Sequence, residues 1–311
     1  MRLRMAMNPN SFSFMKPTNK RNISTFAALA ILLLVGVSAR AGELLNLSTR
    51  GTVNTEDSIT PGGRGSVGTG DNVLIGGVIV TGSGAKHVLF RAVGASLQTA
   101  GVVATATLQD PMVGLYDAKG DILQSNDDWR YGPELEIEAT GLQPRDDYES
   151  AIIADLTPGN YTAIIRGYAH SSGIALVEVF DLGGASARLA EISTRGNVQG
   201  GDNLLIGGFI IGESPTKVLI RAIGPELTAF RVPHALQDPT LELRDASGAL
   251  LEANDDWMKD NRQAISDTGI APKDDRESAI LRTLPPGRYT ALVRGKDNTT
   301  GIGLVEIYRL Q

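Results

Sequence analysis

Two short groups of acidic and amide side chains occur twice in this sequence, and their types suit metal binding. Asn-Asp-Asp-Trp stands at 126–129 and 254–257, and Asp-Asp-x-Glu-Ser begins 20 residues after each Asn. Carboxylate and amide oxygens are the ligands that Ca2+ prefers, six to eight at a time. If the two groups converge, they form a calcium site in each copy. The candidate ligands are Asn126, Asp127, Asp128, Asp146, Asp147, Glu149, Asn254, Asp255, Asp256, Asp274, Asp275 and Glu277.

A structural role for the same residues stays open beside the calcium hypothesis. Asp and Asn side chains cap turns and short helices by accepting hydrogen bonds from backbone N–H groups. The spacing of the acidic residues also differs from that of an EF-hand loop. The only two tryptophans, Trp129 and Trp257, leave a similar choice between exposed sugar-binding platforms and rings that cover the core with their N–H groups bonded.

Catalytic signatures are weak. The three histidines, His87, His170 and His234, do not recur between the copies, and no nucleophile elbow, zinc-protease motif or phosphate loop is present in the sequence. Paired carboxylates could serve a glycosidase. Both carboxylate groups are duplicated, however, which is more typical of a structural unit. We therefore predict a noncatalytic protein.

The duplication extends over most of the chain and defines its organisation. Residues 108–182 align without a gap with residues 236–310, 128 positions later. The related openings LNLSTRG and LAEISTRG extend the repeat upstream, so we place the repeats at 42–184 and 185–311. The first repeat carries an extra Gly-, Ser- and Pro-rich loop between Gly51 and Gly70, and a short flexible joint links the repeats at 183–188.

Each repeat contains about eight short apolar runs bounded by turn residues, which predicts an all-β fold of two tandem β-sandwich, jelly-roll-like domains. Gly120 and Gly248 are expected in hairpin turns, and residues 133–141 and 261–269 in one or two helical turns. Arg91 and Arg221 interrupt equivalent strands. We favour an ion pair with a carboxylate over a ligand-binding role for both.

The amino terminus predicts export. Basic residues precede the apolar run 26–37, and Ala39-Arg40-Ala41 offers a cleavage site, as in a secretory signal peptide over residues 1–41. The apolar run is too short to anchor a span, so we expect no membrane span in the mature chain. Cleavage changes the net charge from −6 to −12, because residues 1–41 hold six basic and no acidic side chains. An acidic surface disfavours nucleic-acid binding, and the chain has no cysteine for disulfides.

A family resemblance is carried by the last 75 residues of each repeat. It rests on Leu115, Asp117, Gly120, Asn126-Asp127-Asp128, Pro158-Gly159, Tyr161, Gly167 and Gly173, and on Leu243, Asp245, Gly248, Asn254-Asp255-Asp256, Pro286-Gly287, Tyr289, Gly295 and Gly301. This pattern resembles bacterial pre-peptidase C-terminal domains, secreted jelly-roll modules. The resemblance implies a noncatalytic accessory role in export, surface attachment or adhesion.

These observations predict a secreted protein, extracellular, periplasmic or on the cell surface, that attaches to a surface or binds extracellular polymer. The expected partners are extracellular polysaccharide or another surface protein. The alternative is a Ca2+-dependent carbohydrate-binding protein, which requires exposed Trp129 and Trp257, and a glycosidase is less favoured.

Overall fold

The computed structural model describes residues 44–53, 73–183, 187–201 and 204–310. The predicted signal peptide, most of the predicted loop inserted after Gly51 and residues 184–186 of the predicted joint lie outside these ranges, so those expectations stay predictions.

The regular structure of the described chain consists mostly of short strands, eight in each repeat. In the first repeat they are β1 Leu44–Val53, β2 Leu74–Thr81, β3 Lys86–Val93, β4 Pro111–Asp117, β5 Ile122–Asn126, β6 Ser150–Leu156, β7 Gly159–Gly167 and β8 Gly173–Gly183. In the second they are β9 Arg188–Val198, β10 Leu205–Ile211, β11 Thr216–Ile223, β12 Pro239–Asp245, β13 Leu250–Asn254, β14 Ser278–Leu284, β15 Gly287–Gly295 and β16 Gly301–Arg309. The predictions of an all-β class and of about eight strands per repeat are confirmed.

Local turn signals are also confirmed. Gly120 and Gly248 have φ angles of 84° and 81° in the β4–β5 and β12–β13 hairpins, a backbone region that favours glycine. The least strand-like segments form the short helices α1, Glu134–Ala139, and α2, Arg262–Ser266. Each helix is followed by a left-handed glycine, Gly141 or Gly269.

The strands form two antiparallel sheets of eight that pack face to face. One sheet has the order β5-β4-β7-β2-β9-β16-β11-β14, and the other has the order β13-β12-β15-β10-β1-β8-β3-β6. Each sheet therefore takes four strands from each repeat.

The two repeats are joined by main-chain pairing between their strands. Strand β2 pairs with β9, with Val78 opposite Ile192, and β1 pairs with β10, with Ser48 opposite Gly208. The sheets thus continue across the repeat boundary, and neither repeat ends at a sheet edge there. The tandem repeat in the sequence does not predict that strands of one repeat pair with strands of the other.

One hydrophobic core fills the space between the sheets and runs through both repeats. Its fully buried residues include Phe90 and Val177 from the first repeat and Phe209 and Val305 from the second. Alternate residues of each strand point into this core because side chains alternate between the faces of a strand.

The outer faces of the sheets are partly covered by loops. Glu178 and Glu306 lie on these outer faces, as the alternation in β8 and β16 predicts, but Glu178 is fully buried. Arg91 donates from Nε to Glu178 at 3.0 Å, and Arg221 does the same to Glu306 at 2.8 Å. The predicted pairing of both arginines with carboxylates is confirmed. Arg91 also donates to the Leu142 carbonyl, which ties a loop to the sheet.

Candidate functional site

The acidic motifs lie where neighbouring strands end. In the first repeat, Asp110 directly precedes β4, Asp127 directly follows β5, and the adjacent strand β7 ends at Gly167. Pro111 is paired with Gly167, and Val113 with Asn126, so all three ends meet at one edge of the sheet. The second repeat places Asp238 and Asp255 at the equivalent ends of β12 and β13. We call these places the acidic ends of the repeats.

At the acidic end of the second repeat, three carboxylates converge. One oxygen from each of Asp238, Asp255 and Asp256 lies within 4.8 Å of the others, so this group could hold a metal ion. Lys296 lies 2.9 Å from Asp255 and 3.5 Å from Asp238, and Lys259 pairs with both Asp255 and Asp256. The carboxylates are therefore neutralised from within the repeat.

The hydrogen bond from Lys296 to Asp255 lowers the pKa of that carboxyl group, with a smaller contribution from Lys259. The pKa of the equivalent carboxyl group in the first repeat, that of Asp127, shifts in the opposite direction. Burial raises the pKa of Asp110, and the charges of Asp127, Asp128 and Asp146 add to the effect. Burial and then Asp128 raise the pKa of Asp127. Within the described ranges, no lysine or arginine forms an ion pair with Asp110, Asp127 or Asp128.

One oxygen of each central carboxylate is buried and lacks a hydrogen-bond partner among the described residues. The atom is Oδ1 of Asp110 and Asp127 in the first repeat and Oδ1 of Asp238 and Asp255 in the second. Buried acceptors normally have partners. The same atoms are left over in both repeats, although only in the second do the three carboxylates converge within 4.8 Å.

Asn126 and Asn254 hold the loops at the acidic ends in place. The side-chain amide of Asn126 donates to the Asp128 carbonyl at 2.9 Å, and its oxygen accepts from Ala151 N–H at 2.9 Å. Asn254 bonds to the Asp256 carbonyl and to Ala279 N–H in the same way. In each repeat the amide oxygen links one sheet to the other, and the amide nitrogen holds the loop that follows its own strand.

Glu149 and Glu277 are fully buried and serve a different loop. Oε1 of Glu149 accepts from Gly94 N–H, Ser96 N–H and the Ser96 hydroxyl at 2.9, 2.9 and 2.6 Å. Oε1 of Glu277 accepts from Gly224 N–H and Glu226 N–H at 3.1 and 2.9 Å. In each repeat this carboxylate fixes the 3-10 turn that follows β3 or β11.

The other acidic residues of the second motif are divided between turn capping and surface ion pairs. Asp146 accepts from Tyr148 N–H, and Asp274 accepts from Arg276 N–H, both at 3.0 Å. Asp147 is exposed and pairs with Arg130 at 2.6 Å, and Asp275 is exposed.

The tryptophan rings are buried, which confirms the interpretation that they cover the core and contradicts the alternative of exposed sugar-binding platforms. Trp129 is 1% exposed and Trp257 is 5% exposed. Their indole N–H groups donate to the carbonyls of Asp146 at 3.2 Å and Asp274 at 3.1 Å. The rings cover the outer face of the sheet beside the short helices and join the two acidic motifs.

Sequence reasoning missed Asp110 and Asp238. They belong to an identical Leu-Gln-Asp-Pro motif that the sequence marks only as a turn before a strand. A signal was present, because the motif recurs unchanged in both repeats. Its relation to Asp127 and Asp255 depends on strand pairing, which brings together residues 17 positions apart in sequence.

A groove of about 530 Å3 lies on the outer face of one sheet, where the repeats meet. Its floor includes Ser193 and Glu306, and Phe230 lines its wall. Nearby, burial raises the pKa of Glu191 to about 8, and the Glu306 carboxylate adds to the shift. The neutral form of Glu191 is therefore favoured in the folded protein at neutral pH.

We expect Glu149→Ala to lower the free energy of unfolding by about 3 kcal/mol, since it leaves buried backbone donors without a partner. Asp147→Ala, two residues away on the surface, is the matched control and should cost less than about 1 kcal/mol. Urea unfolding monitored by tryptophan fluorescence measures both. Equal losses for the two variants would contradict the loop-fixing role of Glu149.

Glu191 predicts a pH dependence of stability. The pKa of Glu191 is about 8 in the folded state, above the ordinary 4.5. Its contribution to the free energy of unfolding is therefore fully present below pH 4.5 and is lost as pH rises through 8, because the unfolded chain ionises first. Each pKa unit corresponds to about 1.4 kcal/mol. Glu191→Gln should flatten the fall in unfolding free energy between pH 5 and pH 9, while exposed Glu213→Gln should not. Parallel pH profiles for the two variants would exclude this assignment.

Among the described residues, no helix is both long and apolar enough to cross a membrane. No protein-family model matches the chain, and no curated protein is similar to it at a significant level. The resemblance to pre-peptidase C-terminal domains therefore stays an expectation from the motifs alone.

Proposed function

We propose that the protein is a secreted, noncatalytic binding protein that attaches to a surface or to extracellular polymer through its acidic ends. The observation that carries this proposal is the repeated structural use of residues that could otherwise do chemistry. Asn126, Glu149 and Trp129 each hold a loop, and their counterparts in the second repeat make equivalent contacts. A duplicated scaffold of this kind supports display of loops rather than turnover.

The acidic end of the first repeat offers the surface for binding. Tyr131, Tyr148 and Tyr168 are 87%, 63% and 51% exposed. Aromatic side chains with a polar end are enriched at binding surfaces, because they contribute large contact areas and a hydrogen-bonding group. Here the backbone N–H groups of Tyr168 and Tyr131 donate to the carbonyls of Asp110 and Asp128, and that of Tyr148 donates to the carboxylate of Asp146.

Calcium is a second candidate ligand of these ends. The convergence of Asp238, Asp255 and Asp256 supports a metal site of hard oxygen ligands, and the first repeat has the same three residue types at Asp110, Asp127 and Asp128. In a calcium-dependent version of the proposal, the exposed tyrosines take the place of the buried tryptophans as contacts for sugar rings.

Retention on insoluble polymers tests this proposal. The mature chain should be retained on at least one of chitin, chitosan, cellulose or whole bacterial cells without releasing soluble sugars. Tyr131→Ala with Tyr148→Ala should weaken retention several-fold, because the exposed aromatic contacts are lost. Phe230→Ala, which removes another exposed aromatic ring, should leave it unchanged. Columns run in EDTA and in Ca2+ test the calcium-dependent version.

Two results would contradict the proposal. One is sugar release that disappears in Asp127→Asn, which would indicate a glycosidase. The other is equal retention of the tyrosine variant and the native chain on every polymer. Retention that is identical in EDTA and Ca2+ would remove calcium and leave the binding role standing.

A further inference from the structure

The two acidic ends share their carboxylates but differ at three positions beside them. Aligned 128 residues apart, Tyr131, Tyr148 and Tyr168 of the first repeat correspond to Lys259, Arg276 and Lys296 of the second. Each exposed tyrosine of one repeat is thus a cation in the other. The carboxylates Asp110, Asp127 and Asp128 correspond to Asp238, Asp255 and Asp256 without any change of residue type.

The second repeat shows what kind of group these carboxylates engage. Lys296 places its ammonium nitrogen 2.9 Å from Asp255 and 3.5 Å from Asp238. Lys259 places a second ammonium group on Asp255 and Asp256. The acidic end of the second repeat therefore already holds two alkylammonium groups, supplied by the chain itself.

The first repeat keeps the carboxylates without these ammonium groups. Within the described part of the chain, no basic side chain pairs with its three aspartates. Oδ1 of Asp110 and of Asp127 is buried and unpartnered, as are the same atoms of Asp238 and Asp255, so the difference between the repeats lies in the ammonium groups. Burial raises the pKa of Asp110 and of Asp127, and the charges of neighbouring aspartates add to both shifts. An added cation would relieve that repulsion.

The tyrosines are attached to the same group of residues by main-chain hydrogen bonds. Tyr168 N–H donates to the Asp110 carbonyl at 2.9 Å, and Tyr131 N–H donates to the Asp128 carbonyl at 3.0 Å. Lys296 and Lys259 make the matching bonds to Asp238 and Asp256. The tyrosine side chains therefore start from the same places as the lysine side chains that reach the carboxylates.

We propose that the acidic end of the first repeat binds an alkylammonium group from outside the chain, carried by an amine-bearing extracellular polymer, between Asp110, Asp127 and Asp128 and the three tyrosines. The acidic end of the second repeat is closed to such a ligand, because Lys259 and Lys296 occupy it. This inference rests on the proposed binding function and names its ligand class.

An organic ammonium group fits the first repeat better than Ca2+ does. Aromatic faces attract ammonium groups, and they do so more strongly where water is excluded. A calcium ion instead needs six to eight oxygen ligands, which aromatic faces do not supply. Where the second repeat has two lysines whose ammonium groups bind the carboxylates, the first repeat has two tyrosines whose rings can contact an ammonium group from another molecule.

The test uses the mature chain and a small probe, Nα-acetyl-lysine methylamide, followed by NMR of the tyrosine ring signals. The probe has a single charged amine, so multivalent attraction to the acidic protein is avoided. We expect saturable shifts of a subset of the seven tyrosines. Asp127→Asn should weaken binding about tenfold or more, since it removes a charged partner. Asp255→Asn, with the same change in net charge, should weaken it less than twofold.

Exchange of the aromatic and basic residues gives a second test that does not depend on loss of a carboxylate. Tyr131→Lys with Tyr168→Lys should close the site and abolish the shifts. Val103→Lys with Ile122→Lys adds the same charge at exposed apolar positions and should leave binding intact. Lys259→Tyr with Lys296→Tyr should create a second site of similar affinity, and circular dichroism checks that each variant is folded.

Three outcomes would overturn the inference: equal effects of Asp127→Asn and Asp255→Asn, probe binding that survives Tyr131→Lys with Tyr168→Lys, or tyrosine shifts produced by CaCl2 and not by the probe. None of these touches the broader binding role, which the polymer columns measure. Conversely, probe binding with the predicted variant pattern, but no retention on any polymer, would support this site and contradict the proposed function.

Discussion

Main-chain pairing between the repeats is the constraint on which the rest of the structure depends. Strand β2 has β7 on one side and β9 of the other repeat on the other, while β10 has β15 and β1. Without these ladders, four strands at the centre of the molecule would expose unpaired backbone groups and a flank of the shared core. The sheets are therefore complete only when both repeats are folded together.

This arrangement also explains how one repeat could diverge from the other without loss of the fold. The loop-fixing contacts of Glu149 and Asn126 are reproduced by Glu277 and Asn254, so each acidic end is built on the same frame. The residues that only border the carboxylates are not needed for these loop-fixing contacts. The second repeat has lysines there, which neutralise the carboxylates, and the first has tyrosines.

Much of the fold could be predicted from the sequence, because its signals are local. Alternating apolar residues marked the strands, and glycines at 120 and 248 marked the hairpins. The pairing of β2 with β9 could not be predicted. Strands β1 and β9 carry the same Ser-Thr-Arg-Gly segment. The pattern of side chains therefore does not decide which of the two strands pairs with β2.

The acidic ends were only partly predictable, because only their local motifs can be recognised in the sequence. The Asn-Asp-Asp motif was recognisable, but the burial of Glu149 under a 3-10 turn and the approach of Asp110 to Asp127 depend on contacts between residues distant in sequence. Burial of Trp129 likewise follows from packing against the outer face of the sheet, which residue type alone leaves open.

The most direct measurement of the central claim is a disulfide between β2 and β9. A Cβ atom built on Gly77 lies 3.8 Å from the Cβ atom of Ser193, a spacing typical of disulfides. The chain has no other cysteine to interfere. Gly77→Cys with Ser193→Cys should oxidise within a monomer, while Gly77→Cys with Ser48→Cys should stay reduced. Disulfide formation in the second pair and not in the first would show two separate sandwiches and contradict the shared sheets.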